Sequence, residues 1–353
     1  MMSSENNWMI YGATGYSGQL IVERAVNAGM NPVVAGRSKD KVEALAKKYD
    51  LECRVFSIDM LENSDALIGQ MALVLNCAGP FSQTAQVVIQ ACLKQRAHYI
   101  DITGEIDVFE YAASLDQSAK ERGVVLCPGV GFDVIPTDCV AAKLKKMMPD
   151  ATHLTLGFDS RSGFSPGTAK TSVEALPNGG KLRKDGKIVT VPLAAKTRKI
   201  DFGGGEKLAM TIPWGDVSTA YHNTKIPNIE VYIPSSPAMV KQLKRMNWIK
   251  PLLRLGFVQN LLKKRIDKKV KGPDEATREK LKTYVWGEVK NATGETKEYR
   301  IQVANGYEVT ADGAVLVAQA LLSSHAHSNG YQTPSMLLGD ALVEQLPGTQ
   351  MAR

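Results

Sequence analysis

One loop near the start limits the folds open to this chain more than any other feature. It reads Gly12-Ala13-Thr14-Gly15-Tyr16-Ser17-Gly18, after the apolar run Trp8-Met9-Ile10-Tyr11 and before Leu20, Ile21, Glu23, Arg24 and Ala25 at helical spacing. A short buried strand that stops on glycine and turns straight into a helix leaves the first N–H groups and the positive dipole end of that helix facing the turn, where a pyrophosphate binds. Gly12 permits the tight turn, Gly15 lets the backbone approach phosphate oxygens, and Gly18 lets the helix pack closely on the strand. Thr14, Tyr16 and Ser17 complete the loop. Glycine also punctuates ordinary turns, so context decides: a second strand, Pro32-Val33-Val34-Ala35, ends about twenty residues on, as a βαβ dinucleotide site requires.

The tip of that second strand distinguishes the dinucleotides. NAD sites commonly place Asp or Glu there for the ribose 2′-OH, whereas NADP needs a cation for the 2′-phosphate. Here the chain reads Gly36-Arg37-Ser38-Lys39, with no acid before Asp40. Arg37 offers a planar fork for phosphate or a face for adenine, and Ser38 adds a hydroxyl. NADP is the expected cofactor; the competing reading makes Arg37 and Lys39 solvated charges at the start of the next helix.

Composition sets the outer limits. A chain of 353 residues, 22% charged and 44% hydrophobic, suits about two soluble globular domains. No apolar run reaches membrane-spanning length, and Met1–Asn7 has neither the basic start nor the apolar stretch of a signal peptide, so a cytoplasmic protein is expected. Five widely spaced cysteines, with no C-x-x-C, read as buried thiols rather than disulfides or a metal site. The net charge of +7 is local: residues 241–282 hold fourteen Lys or Arg and four Asp or Glu, a net +10, so the rest is slightly acidic. That distribution argues against a general nucleic-acid surface.

Strand and helix patterns alternate through the first third: a helix Lys39–Tyr49, strand Arg54–Ser57, short helix near Asp65, strand Leu73–Cys77, helix Thr84–Lys94, strand His98–Ile102, a long helix to Arg122, and strand Val124–Cys127. This predicts an α/β fold, a Rossmann-type doubly wound parallel sheet, with ligands outside the carboxyl ends of its strands. The loop Asn76-Cys77-Ala78-Gly79-Pro80-Phe81 is placed beside the phosphates and ribose, and Asp101 to Glu105 toward the nicotinamide. Capped turns are the competing reading for both. Beyond residue 150, alternating runs such as 153–158, 229–233, 284–289 and 298–303 predict a second, α+β domain whose sheet has one covered face. The expected division is 1–131 as dinucleotide-binding domain, with 307–353 packing back on it, and 132–306 as substrate or dimerisation domain.

These blocks together resemble the saccharopine dehydrogenase-like oxidoreductases, including their trans-acting enoyl reductase branch. The resemblance runs through Gly12–Gly18, Ala35–Arg37, Asn76–Phe81, Tyr99–Glu105, Gly131–Asp138, Gly167-Thr168, Pro213–Asp216, Gly306–Ala311 and Thr333-Pro334. It implies NAD(P)-dependent hydride transfer with Gly12, Gly15, Gly18 and Arg37 at the cofactor, to a carbonyl, imine or activated alkene that is small and in some branches lipid-like. It supplies no shared catalytic constellation. The acids at the predicted strand ends are therefore the candidate proton donors: Asp133 first, then Glu105 and Asp101, with Asp138 and Thr168 read equally well as helix-terminal groups.

Two other enzyme readings fail on the residues. Tyr221 and Lys225 have the Tyr-x-x-x-Lys spacing of short-chain reductases, but far beyond the parallel sheet and just before Pro227. Semialdehyde dehydrogenases need a cysteine where Val130 stands. An NADP-binding regulatory protein without turnover is the alternative from another class. Residues 241–282 carry a further expectation: Leu253, Phe257 and Leu261, and Val258, Leu262, Ile266 and Val270, recur at helical spacing among Lys263, Lys264, Lys268 and Lys269, between Pro251 and Gly272-Pro273. This reads as a basic amphipathic helix, either packed on the second domain or docked on an anionic membrane or an acidic carrier.

Overall fold

The computed structural model describes residues 7–61, 65–160, 173, 176–249, 253, 255, 256, 258–261, 264, 276, 280–323 and 328–352. The chain divides into two compact units: Met1–Ile135 with Tyr307–Leu338, and Pro136–Gly306 with Gly339–Arg353.

The first unit is built on a parallel sheet of β1 (Trp8–Tyr11), β2 (Val33–Gly36), β3 (Cys53–Val55), β4 (Leu73–Asn76), β5 (His98–Asp101), β6 (Val125–Cys127) and a late strand, Gly330–Tyr331. The spatial order is late strand-β6-β5-β4-β1-β2-β3. Every residue of β1, β2 and β4 is buried, because helices cover both faces and leave no solvent side for polar residues. Met9, Tyr11 and Val74 meet Val88, Ile89 and Val108 on one face. Ile10 and Leu75 meet Ile21, Val22, Val315 and Ala318 on the other. The order reverses between β1 and β4, which are neighbours in register Tyr11 to Asn76, so the loops leaving both open at the switch point where doubly wound sheets take ligands. The predicted long helix to Arg122 is two, Ile106–Ser114 and Asp116–Arg122, interrupted at Leu115.

The C-terminal segment splits. The helix Gly306–Leu322 lies on the helix Tyr16–Asn27, where Arg24 pairs with Glu308 and, at 3.0 Å, with Asp312, while Ala311, Ala314, Val315 and Leu321 enter the core. Residues 339–353 instead go with the second unit, which corrects the expected return of the whole 307–353 segment: Gln350–Met351 pairs antiparallel with a strand of that unit's sheet. The division after the first six strands falls at Ile135, inside the helix Ile135–Met147, rather than at residue 131.

The second unit holds a mixed sheet of β7 (His153–Ser160), β8 (Gly180–Lys184), β9 (Lys187–Val191), β10 (Thr197–Asp201), β11 (Glu206–Thr211), β12 (Asn228–Pro234), β13 (Thr283–Lys290) and β14 (Thr296–Val303). The late strand of the first unit then counts as β15, and Gln350–Met351 is β16. The main path runs β10-β11-β12-β7-β13-β14-β16, with β8 joining β12 and β9. Among the described residues only β12 and β7 run parallel; the remaining pairs are antiparallel. Val140 and Leu144 of the helix Ile135–Met147 press on one face, so tightly that a Cβ at Gly287 would stand 2.6 Å from Leu144. The opposite face has an aromatic floor of Phe202, Tyr232 and Trp286 crossed by ion pairs: Arg198 with Glu288, Lys196 with Glu230, and Lys207 with Asp159.

Candidate functional site

At the end of β1 the chain turns on Gly12, with φ +78°, and its N–H donates to the Ala35 carbonyl at 2.9 Å. A Cβ there would stand 2.7 Å from the Ala78 nitrogen, so this turn admits only glycine if the β1 and β4 loops are to touch. At Gly18 a Cβ would stand 2.5 Å from the Gly12 carbonyl oxygen, which fixes the helix tightly against the turn. Gly15 differs. It caps the helix Tyr16–Asn27 with no side-chain hydrogen bond and no acid in the first turn, and a Cβ there would meet only the Gly12 oxygen, at 3.3 Å. The helix end is thus neither neutralised by a carboxylate nor covered by a capping side chain, the condition for holding an anion. Thr14 and Ser17 are half-buried beside it, Gln19 Nε2 donates to the Thr14 carbonyl at 2.9 Å, and the Tyr16 ring packs edge-on to Tyr307 at 5.0 Å.

Arg37 follows β2 directly and is exposed. Ser38 takes the cap position of the helix Lys39–Tyr49, yet its hydroxyl makes no capping hydrogen bond.

The β4 loop is held from below. Asn76 is fully buried; its Oδ1 accepts from the Ala78 N–H at 3.0 Å and its Nδ2 donates to Thr84 Oγ1 at 3.1 Å. Thr84 in turn donates to the Ala78 carbonyl at 2.6 Å. Ala78, Gly79 and Pro80 therefore form a braced loop, joined by a cis Gly79-Pro80 bond, at the switch point. Asn76 opens the loop that the sequence places beside the ribose, whereas Thr84, at the start of the next predicted helix, has no spacing that marks it as the brace.

Of the three candidate acids, two are engaged with backbone. Glu105 Oε1 accepts from the Phe81 N–H at 2.9 Å and Oε2 from the Ser82 N–H at 2.7 Å, so its carboxylate caps the helix Phe81–Gln95 across 24 residues of chain. Asp101 is fully buried; Oδ1 accepts from Thr103 N–H at 3.0 Å and Gly129 N–H at 2.8 Å, and Oδ2 from the Tyr99 hydroxyl at 2.6 Å. Burial pushes the Asp101 carboxyl up to about 6, against the opposing pull of those donors. Asp133 is the third of these acids. Its carboxyl is pushed up to about 7 by burial, and it faces the β5 loop so closely that a Cβ at Gly104 would lie 2.7 Å from its Oδ2. The neighbouring Phe132 N–H donates to Thr310 Oγ1 at 3.0 Å, so the C-terminal helix helps to place this segment.

Other candidates fall elsewhere. Tyr221 lies on the helix Asp216–Thr224 of the second unit and Lys225 ends that helix with a positive φ, its ammonium over the Tyr221 ring at 5.7 Å. Asp138 is buried in the second unit and accepts from Asn223 Nδ2 at 2.8 Å, the structural role. Val130 is fully buried in the first unit. Burial pushes the Cys77, Cys92 and Cys139 thiols up, away from thiolate chemistry. Gly167 and Thr168 lie outside the described residues, as do Pro251, Phe257, Leu262, Lys263, Ile266, Lys268, Lys269, Val270, Gly272 and Pro273. Of that basic segment's apolar positions, Leu253 is buried and Leu261 is exposed. Among the described residues no helix is long and apolar enough to cross a membrane.

Comparison with known proteins agrees with the geometry. Residues 8–127 match the family model of the saccharopine dehydrogenase NADP binding domain. The saccharopine dehydrogenase-like oxidoreductase of Homo sapiens is 28% identical over 202 residues, which cover 50% of this chain and 47% of that one. The chain thus spans about half the length of such relatives. Among them is a lipid droplet localized protein of Caenorhabditis elegans, 28% identical over 48% of this chain and 44% of its own length. The trans-acting enoyl reductase of Mycobacterium bovis is 24% identical, covering 96% of this chain and 95% of its own. In fold, the chain is similar to the apo saccharopine dehydrogenase (L-Glu forming) of Saccharomyces cerevisiae, with a TM-score of 0.64, 13% identity and 96% of each chain covered.

Proposed function

Starting from a saccharopine dehydrogenase-like chain whose residues 8–127 match an NADP-binding domain, we propose that it is an NADPH-dependent reductase of a carbonyl, imine or activated alkene. The observation that carries this reading is the uncapped, acid-free helix start at Gly15, beside an exposed Arg37 at the tip of β2. In this reading the N–H groups after Gly15, with Thr14 and Ser17, receive the pyrophosphate, and Arg37 and Ser38 receive the 2′-phosphate. Ala78, Gly79 and Pro80 border the ribose on a loop held in place by Asn76 and Thr84.

The bound dinucleotide supplies a hydride; the protein must orient the acceptor and deliver a proton to the atom left electron-rich. Asp133 is assigned the donor's role, because a carboxyl raised to about 7 still carries its proton near neutral pH. Asp101 and Glu105 become positioning residues whose oxygens hold the β5, β6 and β4 loops around it. The names of two relatives, an enoyl reductase and a lipid droplet protein, support an acyl or otherwise lipid-like substrate in preference to an amino acid.

Direct titration of the full chain with NADPH and NADH tests the cofactor assignment. NADPH is expected to bind at least about tenfold more tightly, and Arg37→Ala to erase most of that difference with little change for NADH, since one charge-assisted phosphate contact contributes about 1.5–3 kcal/mol. Equal binding of the two by the unaltered protein overturns it.

A further inference from the structure

The second unit carries a surface that the reductase reading does not use. Its helix Pro237–Met246 starts with Ser236 Oγ accepting from the Met239 N–H at 3.2 Å, and runs into a short turn, Asn247–Ile249. Val240 faces inward against Ala194 and Met210. Outward stand Lys241, Lys244 and Arg245, all exposed. At the end of the helix Trp248 is 89% exposed, with Ile249 at 45% and Met239 at 46%. Exposure of this kind is costly for tryptophan, the largest apolar side chain, and the other large aromatics of the unit are not treated so: Trp286 and Phe202 are buried.

Nor is the Trp248 segment loosely attached. Asn247 Oδ1 accepts from the Leu193 N–H at 2.8 Å and its Nδ2 donates to the Leu193 carbonyl at 3.2 Å, which pins the turn to the sheet side and keeps the indole presented to solvent. Beside it lies an open groove of about 400 Å³ bordered by Leu208, Val240, Lys241, Lys244, Arg245 and Trp248. Charge completes the pattern. Residues 237–249 contain three Lys or Arg and no Asp or Glu.

We infer that the Pro237–Ile249 face docks the protein on an anionic lipid bilayer, with Lys241, Lys244 and Arg245 at the headgroup phosphates and Trp248 and Ile249 inserted at the headgroup and acyl boundary. An amphipathic surface helix with cations on one side and an aromatic at the water boundary matches interfacial chemistry, in which apolar insertion and attraction to anionic lipid add. An acidic protein surface would satisfy the cations but would need its own apolar pocket for a tryptophan that projects this far. A uniformly charged bilayer meets both requirements at once.

Sedimentation of the full chain with phosphatidylcholine vesicles, with and without phosphatidylglycerol, tests this. Binding is expected only with phosphatidylglycerol, and it should fade as ionic strength rises from about 0.01 to about 1 M and the Debye length falls from about 30 to about 3 Å. Tryptophan emission should shift to the blue on binding, and Trp248→Phe should remove that shift. Replacing Lys241, Lys244 and Arg245 together by Gln should weaken partition on the order of a hundredfold, given about fivefold for each basic residue at a charged membrane. Dinucleotide titration and thermal melting of both variants should match the parent, showing that fold and the first unit's site are intact. No binding to phosphatidylglycerol vesicles at low salt overturns the inference, as does equal binding to neutral vesicles. Capture by immobilised polyglutamate without vesicle binding also overturns it, and assigns the face to an acidic protein.

Discussion

The strand ends of the first unit and the sheet face of the second use their charged side chains in opposite ways. In the first, carboxylates and amides sit at the carboxyl ends of parallel strands, buried and saturated by backbone donors: Asp101 holds Thr103 and Gly129, and Asn76 holds Ala78. In the second, charges pair with one another across strands on an open sheet face, as Arg198 does with Glu288 at 2.9 and 3.1 Å while stacking over Trp286. The cause is the sheet. A parallel sheet covered on both faces leaves only its strand ends for polar groups, whereas a mixed sheet with one helix-covered face has a whole surface on which to place them. Buried groups of the first kind shape loops; the partly exposed pairs of the second kind line a sheet face.

That contrast is open to test by substitution. Asp101→Ala should have the largest effect, lowering the stability of the first unit by about 3–5 kcal/mol, because two buried N–H groups and the Tyr99 hydroxyl lose their acceptor together. Urea unfolding reads this directly, and a loss below about 1 kcal/mol would erase the distinction between the units. Next comes Asp133. Its carboxyl rises from the ordinary 3.8 to about 7 in the folded protein, so the protonated form favours folding. The stability it contributes is full below about pH 3.8 and is lost as pH rises through about 7. As proton donor it should make kcat/KM fall about tenfold per pH unit above about 7, and Asp133→Asn should flatten that limb. An unchanged alkaline limb in a folded Asp133→Asn protein would remove Asp133 from the chemistry. The smallest effect belongs to the second unit: a double-mutant cycle on Arg198 and Glu288 should give a coupling of about 0.5–1 kcal/mol that shrinks with added salt. A coupling comparable to the Asp101 loss would show that the surface ladder also bears the fold.

Periodicity made the parallel sheet legible because its strands are continuous apolar runs separated by glycine turns. The second unit was less so. The hairpin of β8 and β9 turns on Asp185-Gly186, with φ of 49° and 77°, and that Asp-Gly pair between alternating residues is the signal in the sequence that marks it. Strands β15 and β16, two residues each, carry no pattern of their own and exist only because a distant partner edge is present. At the candidate site, the glycine turn after β1 and Arg37 at the tip of β2 were readable from the apolar runs that flank them. The roles of Asp101 and Glu105 could not, since an acid at a strand end looks the same whether it gives a proton to substrate or accepts N–H bonds from loops 24 or 28 residues distant.

The late strand carries a consequence for how the protein comes into being. β15 completes the first sheet beside β6 only after some 200 further residues have been made, and the helix that shields Ile21, Val22 and Val125 arrives just before it. On a ribosome working from the amino end, the dinucleotide-binding half therefore waits with part of one apolar face uncovered while β7 to β14 of the second unit are synthesised. Truncation before Tyr307 removes that cover altogether, so the nucleotide-binding residues near the start of the chain are expected to fold less stably without residues 307–331.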